Sequence, residues 1–255
     1  MVTKPNDTSQ TVTPYRFNNL TLFNDSMMLG AIIVAAGGSK RAGFDKLMVK
    51  IAGRSVIQHT LTAFEKTICV NDILVVSRDT ITMRHLIVKT NLRKIRRVVR
   101  GGVLRQDSVR IGLEALEKEV EFVAVHDAAR PLITSREIER VFAAARKHGA
   151  AVLAAPITDA LKLADVNHRV IGSIGRQNVF AMQTPQIFRR ELLIQAYEQV
   201  RKDSLIVTDE VSTIEQIGGK IVIVPAEDHN FKITFASDLP VAEFILKQRA
   251  SASKL

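Results

Sequence analysis

Arg41 and Lys46 stand just beyond a run of small residues, Ala35, Ala36, Gly37 and Gly38, in the stretch LGAIIVAAGGSKRAGFDKL (29–47). Small residues let backbone N–H groups approach phosphate oxygens with no Cβ in the way. An arginine can then hold phosphate through its fork, and a lysine as a point charge. The loop lacks the GxGxxG spacing of a dinucleotide fingerprint, and no GK[ST] follows for a P-loop. A glycine-permitted turn with surface cations is the competing reading of this stretch taken alone.

Four further stretches carry the same kind of chemistry. GGVLRQDSV (101–109) offers Gly101 and Gly102 for close approach, with Arg105 and Ser108 as donors near a helix start. VHDAARP (125–131) places Asp127 at a strand end, with Ala128 leaving room and Arg130 ahead of Pro131. Asp127 and Arg130 read either as a plain ion pair or as ligands for sugar hydroxyls, with Asp127 also a candidate for Mg2+. His126 reads as a packing residue, since no second His or Cys lies at metal spacing. TDEVSTIEQIG (208–218) presents Thr208, Asp209 and Glu210 at a helix start, where Thr208 heading a capping box is the competing reading. NFKITFASDLP (230–240) delivers Lys232 on a strand-like segment, facing either solvent or a site.

No Ser-His-Asp spacing, HExxH or apolar glutamate pair accompanies these residues, so nucleophilic hydrolysis has no support. Phosphate-binding backbone, several cations and a few acids suit phosphoryl or nucleotidyl transfer by positioning and charge stabilisation.

These residues need a scaffold that brings them together. Apolar, β-branched runs at 31–36, 72–77, 96–101, 122–127, 150–156 and 220–226 read as strands. Amphipathic helices are predicted at 55–67, 106–119, 135–149, 189–202 and 238–249, the third opened by Ser135 with Glu137 and Glu139 and closed by Gly149. The alternation predicts an α/β fold with a doubly wound, mostly parallel sheet covered on both faces. In such folds ligands bind beyond the carboxyl ends of the strands, where the residues above fall. Residues 161–188 break the rhythm and read as a projecting β-hairpin arm with an Asn/His turn, a device that serves dimer contacts.

Composition narrows the partners. The 255 residues carry a formal charge of +10, which favours anionic ligands, either nucleic acid or a phosphorylated small molecule. With no Trp and two Tyr, the chain is poor in rings that stack on single-stranded bases. The basic run KTNLRKIRRVVRGG reads as a solvated strand edge. No apolar run approaches the roughly 20 residues that span a bilayer. The single Cys69, in an apolar setting, reads as a small core residue and fits a cytoplasmic location. Residues 1–28 read as a disordered extension lacking the features of a signal or transit peptide.

In order, AAGGSKR…DK, GGVLRQDSV, VHDAARP, AMQTPQIF, TDEVS and FKIT resemble the motifs of the sugar-phosphate cytidylyltransferases. The likeness runs from Leu29 to Leu246 and is strongest to the branch that uses 2-C-methyl-D-erythritol 4-phosphate in non-mevalonate isoprenoid biosynthesis. It implies a Rossmann-like nucleotidyltransferase domain over 29–255, whose β-arm, about 158–185, reaches into the partner of a homodimer. It also implies transfer from CTP with Mg2+ as cofactor, held mainly by the triphosphate, and no nucleic-acid partner.

Carried over by motif, Arg41 and Lys46 would stabilise the transition state while Ala35–Gly38 cradle the triphosphate. Gly101, Gly102, Arg105 and Ser108 would read cytosine and ribose; Asp127, Ala128 and Arg130 would hold nucleotide and substrate hydroxyls. Arg176, from the neighbouring subunit, and Lys232 would position the attacking phosphate, with Thr158, Thr208 and Asp209 beside it. The chain departs from the usual pattern in its short Arg41–Lys46 link and in Ala160, where the family usually has Thr. A ribitol 5-phosphate cytidylyltransferase, or a non-catalytic nucleotide- or nucleic-acid-binding protein, are the alternatives at this level.

Overall fold

The computed structural model describes residues 27–37 and 44–252. The elements in chain order are β1 (Leu29–Ala35), β2 (Lys50–Ile51), β3 (Arg54–Ser55), α1 (Val56–Lys66), β4 (Val70–Ser77), α2 (Thr80–Val88), β5 (Ile95–Arg100), α3 (Arg105–Ala115) and β6 (Phe122–Asp127). There follow α4 (Ser135–His148), β7 (Ala150–Pro156), β8 (Leu161–Ala164), β9 (Val170–Ile174), β10 (Phe180–Arg189), α5 (Arg190–Lys202), α6 (Glu210–Glu215), β11 (Val222–Pro225) and α7 (Asp238–Ala252).

Seven strands form the main sheet in the order β11-β7-β10-β6-β1-β4-β5. All neighbours are parallel except β10, which runs antiparallel to both β6 and β7. Each central strand is apolar on both sides because each side has its own core. Ala31 and Ile33 of β1 pack with Phe64 of α1 and Phe142 of α4, whereas Ile32 packs with Val109 of α3 and Leu193 of α5. An uninterrupted apolar run, rather than alternation, is what such a strand requires.

The helices end where local chemistry dictates. Thr134, one residue earlier than the sequence reading placed the cap, accepts from Glu137 N at 3.3 Å, and Gly149 at φ 84° closes α4. Asp79 caps α2 by accepting from Ile81 N and Thr82 N at 3.1 and 3.0 Å. That helix was not anticipated: its β-branched residues bury only Met83, so no apolar stripe announces it. The basic run is the edge strand β5, as expected, and Arg84 donates to its Val98 carbonyl at 3.2 Å.

The 161–188 stretch divides. β8 and β9 form a separate hairpin whose turn is organised by Asp165, which accepts from Asn167 N and Arg169 N at 2.8 and 2.9 Å. Phe180–Arg189 instead enters the main sheet as β10. Its inner half, Thr184–Phe188, is buried, which a projecting arm would not be. The Lys232 segment is also corrected: residues 231–234 are irregular chain, tied to the sheet by Ile233 N donating to Ala129 O at 2.8 Å.

Candidate active site

From β1 the chain steps outward to β4 and β5, then α3 returns it to β6 on the other side of β1. The carboxyl ends of β1 and β6 thus flank the switch point at which doubly wound sheets bind ligands. Ala36 and Gly37 leave β1 there, and among the described residues a Cβ on Gly37 would meet nothing within 4 Å.

The turn after β5 closes onto this loop through its glycines. A Cβ on Gly101 would fall 2.5 Å from Ala36 Cβ and 2.8 Å from Ser108 Oγ; one on Gly102 would fall 2.3 Å from Asp107 Cβ. Ser108 Oγ accepts from Gly102 N at 3.2 Å, and Asp107 accepts from Leu104 N at 3.0 Å, which opens α3. Arg78, just past β4, donates to Ala36 O at 3.3 Å.

Asp127, the last residue of β6, is the hub. Its Oδ2 accepts from Lys232 Nζ at 2.9 Å, its Oδ1 from Arg105 Nε at 3.4 Å, and Arg130 Nε lies 3.8 Å from Oδ2. Burial alone would push the Asp127 carboxyl up, but Arg105, Lys232 and Arg130 reverse this and hold it well below the usual carboxylate range. Arg105 is gripped from behind: its Nη1 and Nη2 donate to Glu210 Oε1 and Oε2 at 2.7 and 3.0 Å. Burial works against its charge, yet Glu210 and then Asp127 outweigh burial and keep the guanidinium firmly protonated. For Arg130 burial prevails and lowers the pKa, opposed by Asp127 and reinforced by Arg105.

Two further connections complete the site. Lys46 Nζ donates to Ile233 O at 2.6 Å, so the segment that carries Lys232 also anchors Lys46. Arg130 Nη1 donates to Asn230 O at 2.8 Å, and Asn230 Nδ2 donates to Thr184 O at 2.8 Å. Thr184 Oγ1 accepts from Asp127 N at 3.1 Å and lies 3.0 Å from His126 Nδ1. With Nδ1 as acceptor the His126 proton sits on Nε2, 3.4 Å from Arg130 O. Burial pulls the His126 pKa down to about 3, so the ring is a neutral brace beneath the site, as its sequence setting indicated. Among the described residues three cations face two carboxylates around Asp127, a surplus positive charge suited to phosphate.

The family model of 2-C-methyl-D-erythritol 4-phosphate cytidylyltransferase matches residues 29–248, nearly all of the described chain. The chain belongs to this family. Among curated cytidylyltransferases of that name, one from Shouchella clausii (strain KSM-K16) is 38% identical over 227 residues, covering 88% of this chain and 98% of the relative. One from Alkaliphilus oremlandii (strain OhILAs) is 35% identical over 223 residues, covering 86% and 94%. The solved 2-C-methyl-D-erythritol 4-phosphate cytidylyltransferase of Thermus thermophilus superposes with a TM-score of 0.73 at 30% identity, covering 87% of this chain and all of that one. A 4-diphosphocytidyl-2C-methyl-D-erythritol synthase from Anaerococcus prevotii gives 0.77 at 30%, over 88% of this chain.

Within this cytidylyltransferase frame the anticipated residues fall into groups. Ala35, Ala36, Gly37, Lys46, Gly101, Gly102, Arg105, Ser108, Asp127, Ala128, Arg130 and Lys232 belong to the connected loops at the switch point. Thr158 and Arg176 meet each other instead, Arg176 Nη1 donating to Thr158 O at 2.8 Å at the root of the hairpin. Among the described residues neither bonds to the Asp127 cluster. Asp209, not Thr208, caps α6, accepting from Ser212 N at 2.9 Å, while Thr208 Oγ1 lies 3.3 Å from Ser212 Oγ. Gly38, Arg41 and residues 1–26 of the expected 1–28 extension lie outside the described residues, whereas Met28 belongs to the fold, its carbonyl accepting from Glu121 N and Phe122 N at 3.0 and 3.1 Å.

Sequence reasoning passed over Glu210, Tyr197, Thr184 and Asn230 as site residues. Glu210 stands with Thr208 and Asp209 at the predicted helix start but has no role of its own in the sequence, yet it is fully buried and bonded to Arg105 and to Tyr197 Oη at 3.0 Å. The one signal was Tyr197 itself, an -OH-bearing ring inside an otherwise apolar helix face, which needs a buried partner.

Proposed function

We infer that the chain transfers a cytidylyl group from CTP to 2-C-methyl-D-erythritol 4-phosphate, giving 4-diphosphocytidyl-2-C-methyl-D-erythritol and pyrophosphate. The family match over residues 29–248 carries the reading, since it runs through every motif that meets at the switch point. In the reaction a phosphate oxygen of the sugar alcohol forms a bond to the α-phosphorus of CTP. The bond from that phosphorus to the β-phosphate bridge oxygen breaks, and pyrophosphate leaves with the electron pair.

The chain's contribution is position and charge. The Ala35–Gly37 backbone and the Gly101–Gly102 turn receive the nucleotide, and Asp127 accepts from hydroxyls. Lys46, together with Arg41, offsets charge that grows on the phosphates, while Lys232 orients the attacking phosphate from its seat on Asp127. Such preorganised cations act without reorganising during the reaction.

Mg2+ belongs to the reading as a cofactor. The Asp127 and Glu210 carboxylates already hold cations, and no group of three metal-ligating side chains occurs among the described residues. This donor set fits Mg2+ that arrives on the triphosphate and takes at most Asp127 from the protein. Bound there, the ion would supply charge neutralisation to the phosphates.

Dimerisation through the β8–β9 hairpin is likewise part of the reading, with Arg176 serving the neighbouring subunit. Val170 and Ile171 on the hairpin are 66% and 67% exposed, an apolar surface suited to a second copy. Cytoplasmic residence completes it, consistent with the unpaired Cys69, whose thiol burial pushes up to about 12. No described helix is long and apolar enough to cross a membrane.

The test is pyrophosphate release from CTP and Mg2+ with a panel of sugar phosphates. Release with 2-C-methyl-D-erythritol 4-phosphate supports the reading; release only with ribitol 5-phosphate, or with none, overturns it.

A further inference from the structure

Glu210 has an environment that its place at the head of a short helix does not explain. It is 0% exposed, and its carboxylate and backbone N–H are all engaged. Its two carboxylate oxygens take both terminal nitrogens of Arg105 at 2.7 and 3.0 Å. Tyr197 Oη donates to Oε1 at 3.0 Å, and the Glu210 backbone N–H donates to Gln186 Oε1 at 3.1 Å. Burying a carboxylate is costly unless it is paired and hydrogen-bonded, so a set this complete is unusual for a residue in the first turn of a helix. A surface alternative was open: Glu215, at the other end of the same helix, is exposed.

The geometry of Arg105 gives the buried pair a purpose. A guanidinium is a rigid planar fork, so fixing Nη1 and Nη2 fixes the direction of Nε. That Nε faces Asp127 Oδ1 at 3.4 Å, and the other Asp127 oxygen holds Lys232 Nζ at 2.9 Å. A continuous chain therefore runs from Tyr197 on α5, through Glu210 on α6 and Arg105 on α3, to Asp127 at the end of β6 and Lys232.

We propose that Glu210, braced by Tyr197, is a positioning residue that aims Arg105 and thereby sets the place of Asp127 and Lys232 at the reacting phosphates. The proposal rests on the cytidylyltransferase reading above and deepens it. Glu210 and Tyr197 touch no substrate; they act through Arg105. Tyr197 acts only through Glu210, so its contribution to turnover vanishes once Glu210 can no longer hold the fork.

Steady-state kinetics on the full chain with CTP, Mg2+ and methylerythritol phosphate test this, with thermal unfolding of each variant measured in parallel. Unmodified protein that shows no turnover overturns the functional reading itself, separately from the variants. With turnover present, Glu210→Gln should lower kcat/KM by about 10²-fold, as misplacement of a reacting group does, while remaining folded at the assay temperature. Glu210→Asp, which keeps the charge, should recover part of that loss. Tyr197→Phe should cost about 3- to 10-fold on its own and nothing further when added to Glu210→Gln, a coupling read from the double-mutant cycle. Losses in kcat/KM that simply add, or Glu210→Gln at full kcat/KM, would overturn the proposal. So would an Asp variant no better than Gln, or a loss accounted for by the unfolded fraction.

Discussion

Lys232 and Asp127 lie 105 positions apart in sequence, yet their side chains meet at 2.9 Å at the carboxyl end of β6. The pair exists because an irregular segment, not a strand, carries Lys232 across the sheet end, pinned by Ile233 N to Ala129 O at 2.8 Å. The same Ile233 holds Lys46 through its carbonyl, so two cations from distant motifs share one backbone anchor.

Removing the hub charge should therefore cost stability as well as activity. Asp127→Asn leaves Arg105, Arg130 and Lys232 without their shared carboxylate. The expected loss is about 3–5 kcal/mol, the scale for breaking a buried pair from one side. Urea unfolding measures it; a loss below about 1 kcal/mol, the worth of an exposed pair, would mean that the three cations find other partners.

Lys46→Met should lower kcat by about 10²–10³-fold, the range for a lost transition-state donor. The bond from its Nζ to the Ile233 carbonyl contributes about 1.5–3 kcal/mol, so the variant should stay folded with a modest drop in melting temperature. Near-normal turnover would remove Lys46 from the mechanism.

Gly101→Ala places a methyl 2.5 Å from Ala36 Cβ and 2.8 Å from Ser108 Oγ. The β5–α3 turn and the loop after β1 must then separate, at about 1–3 kcal/mol of overpacking. Because both loops receive the nucleotide in the proposed reading, KM for CTP should rise more than kcat falls. Denaturation and kinetics together check this, and an unchanged KM would contradict it.

The neutral His126 sets a pH dependence with a defined sign. Burial lowers its pKa from 6.5 to about 3, so between those values the unfolded chain binds a proton that the folded chain refuses. The stability governed by this group is full above pH 6.5 and is lost as pH drops toward 3. The slope from this one group is at most about 1.4 kcal/mol per pH unit. Asp127, whose pKa is depressed, adds its own loss only below the ordinary carboxylate range near about 3.9. Unfolding curves from about pH 4 to 7, where the unfolded imidazole takes up the proton that the folded one refuses, should thus be flatter for His126→Asn than for the unmodified chain. Equal slopes would place the titration elsewhere.

If Arg176 serves the neighbouring subunit, inactive Arg176→Ala and inactive Lys46→Met chains should complement each other. Full exchange leaves half of the dimers mixed, each with one intact site, for about a quarter of unmodified turnover in a two-fold dimer. No recovery after confirmed exchange would contradict action across the interface.

The sheet was legible because β1, β4, β6 and β7 are buried on both faces and so write long apolar runs into the sequence. Strand β10 was harder: its register shifts between Met182 and Gln186, and its exposed half leads directly out of the hairpin, so it merged with the arm. Helix α2 buries one residue and left no pattern to read. At the site, a pair of glycines, a strand-end acid and a lysine set between apolar residues announced Gly101, Asp127 and Lys232. The roles of Glu210 and Asn230 could not be read because they come from partners far along the chain, Arg105 at 105 positions and Thr184 at 46. Hydrogen-bond partners of that kind are set by tertiary packing and leave no local spacing.

In the proposed reaction a sugar-alcohol phosphate becomes linked to CMP through a new diphosphate. Phosphorus NMR of a reaction of the chain with CTP, Mg2+ and 2-C-methyl-D-erythritol 4-phosphate observes that link directly. Two mutually coupled phosphorus signals from the diphosphate should grow in step with pyrophosphate and be absent with Lys46→Met. Pyrophosphate accompanied only by CMP, or no change in the spectrum, would contradict it.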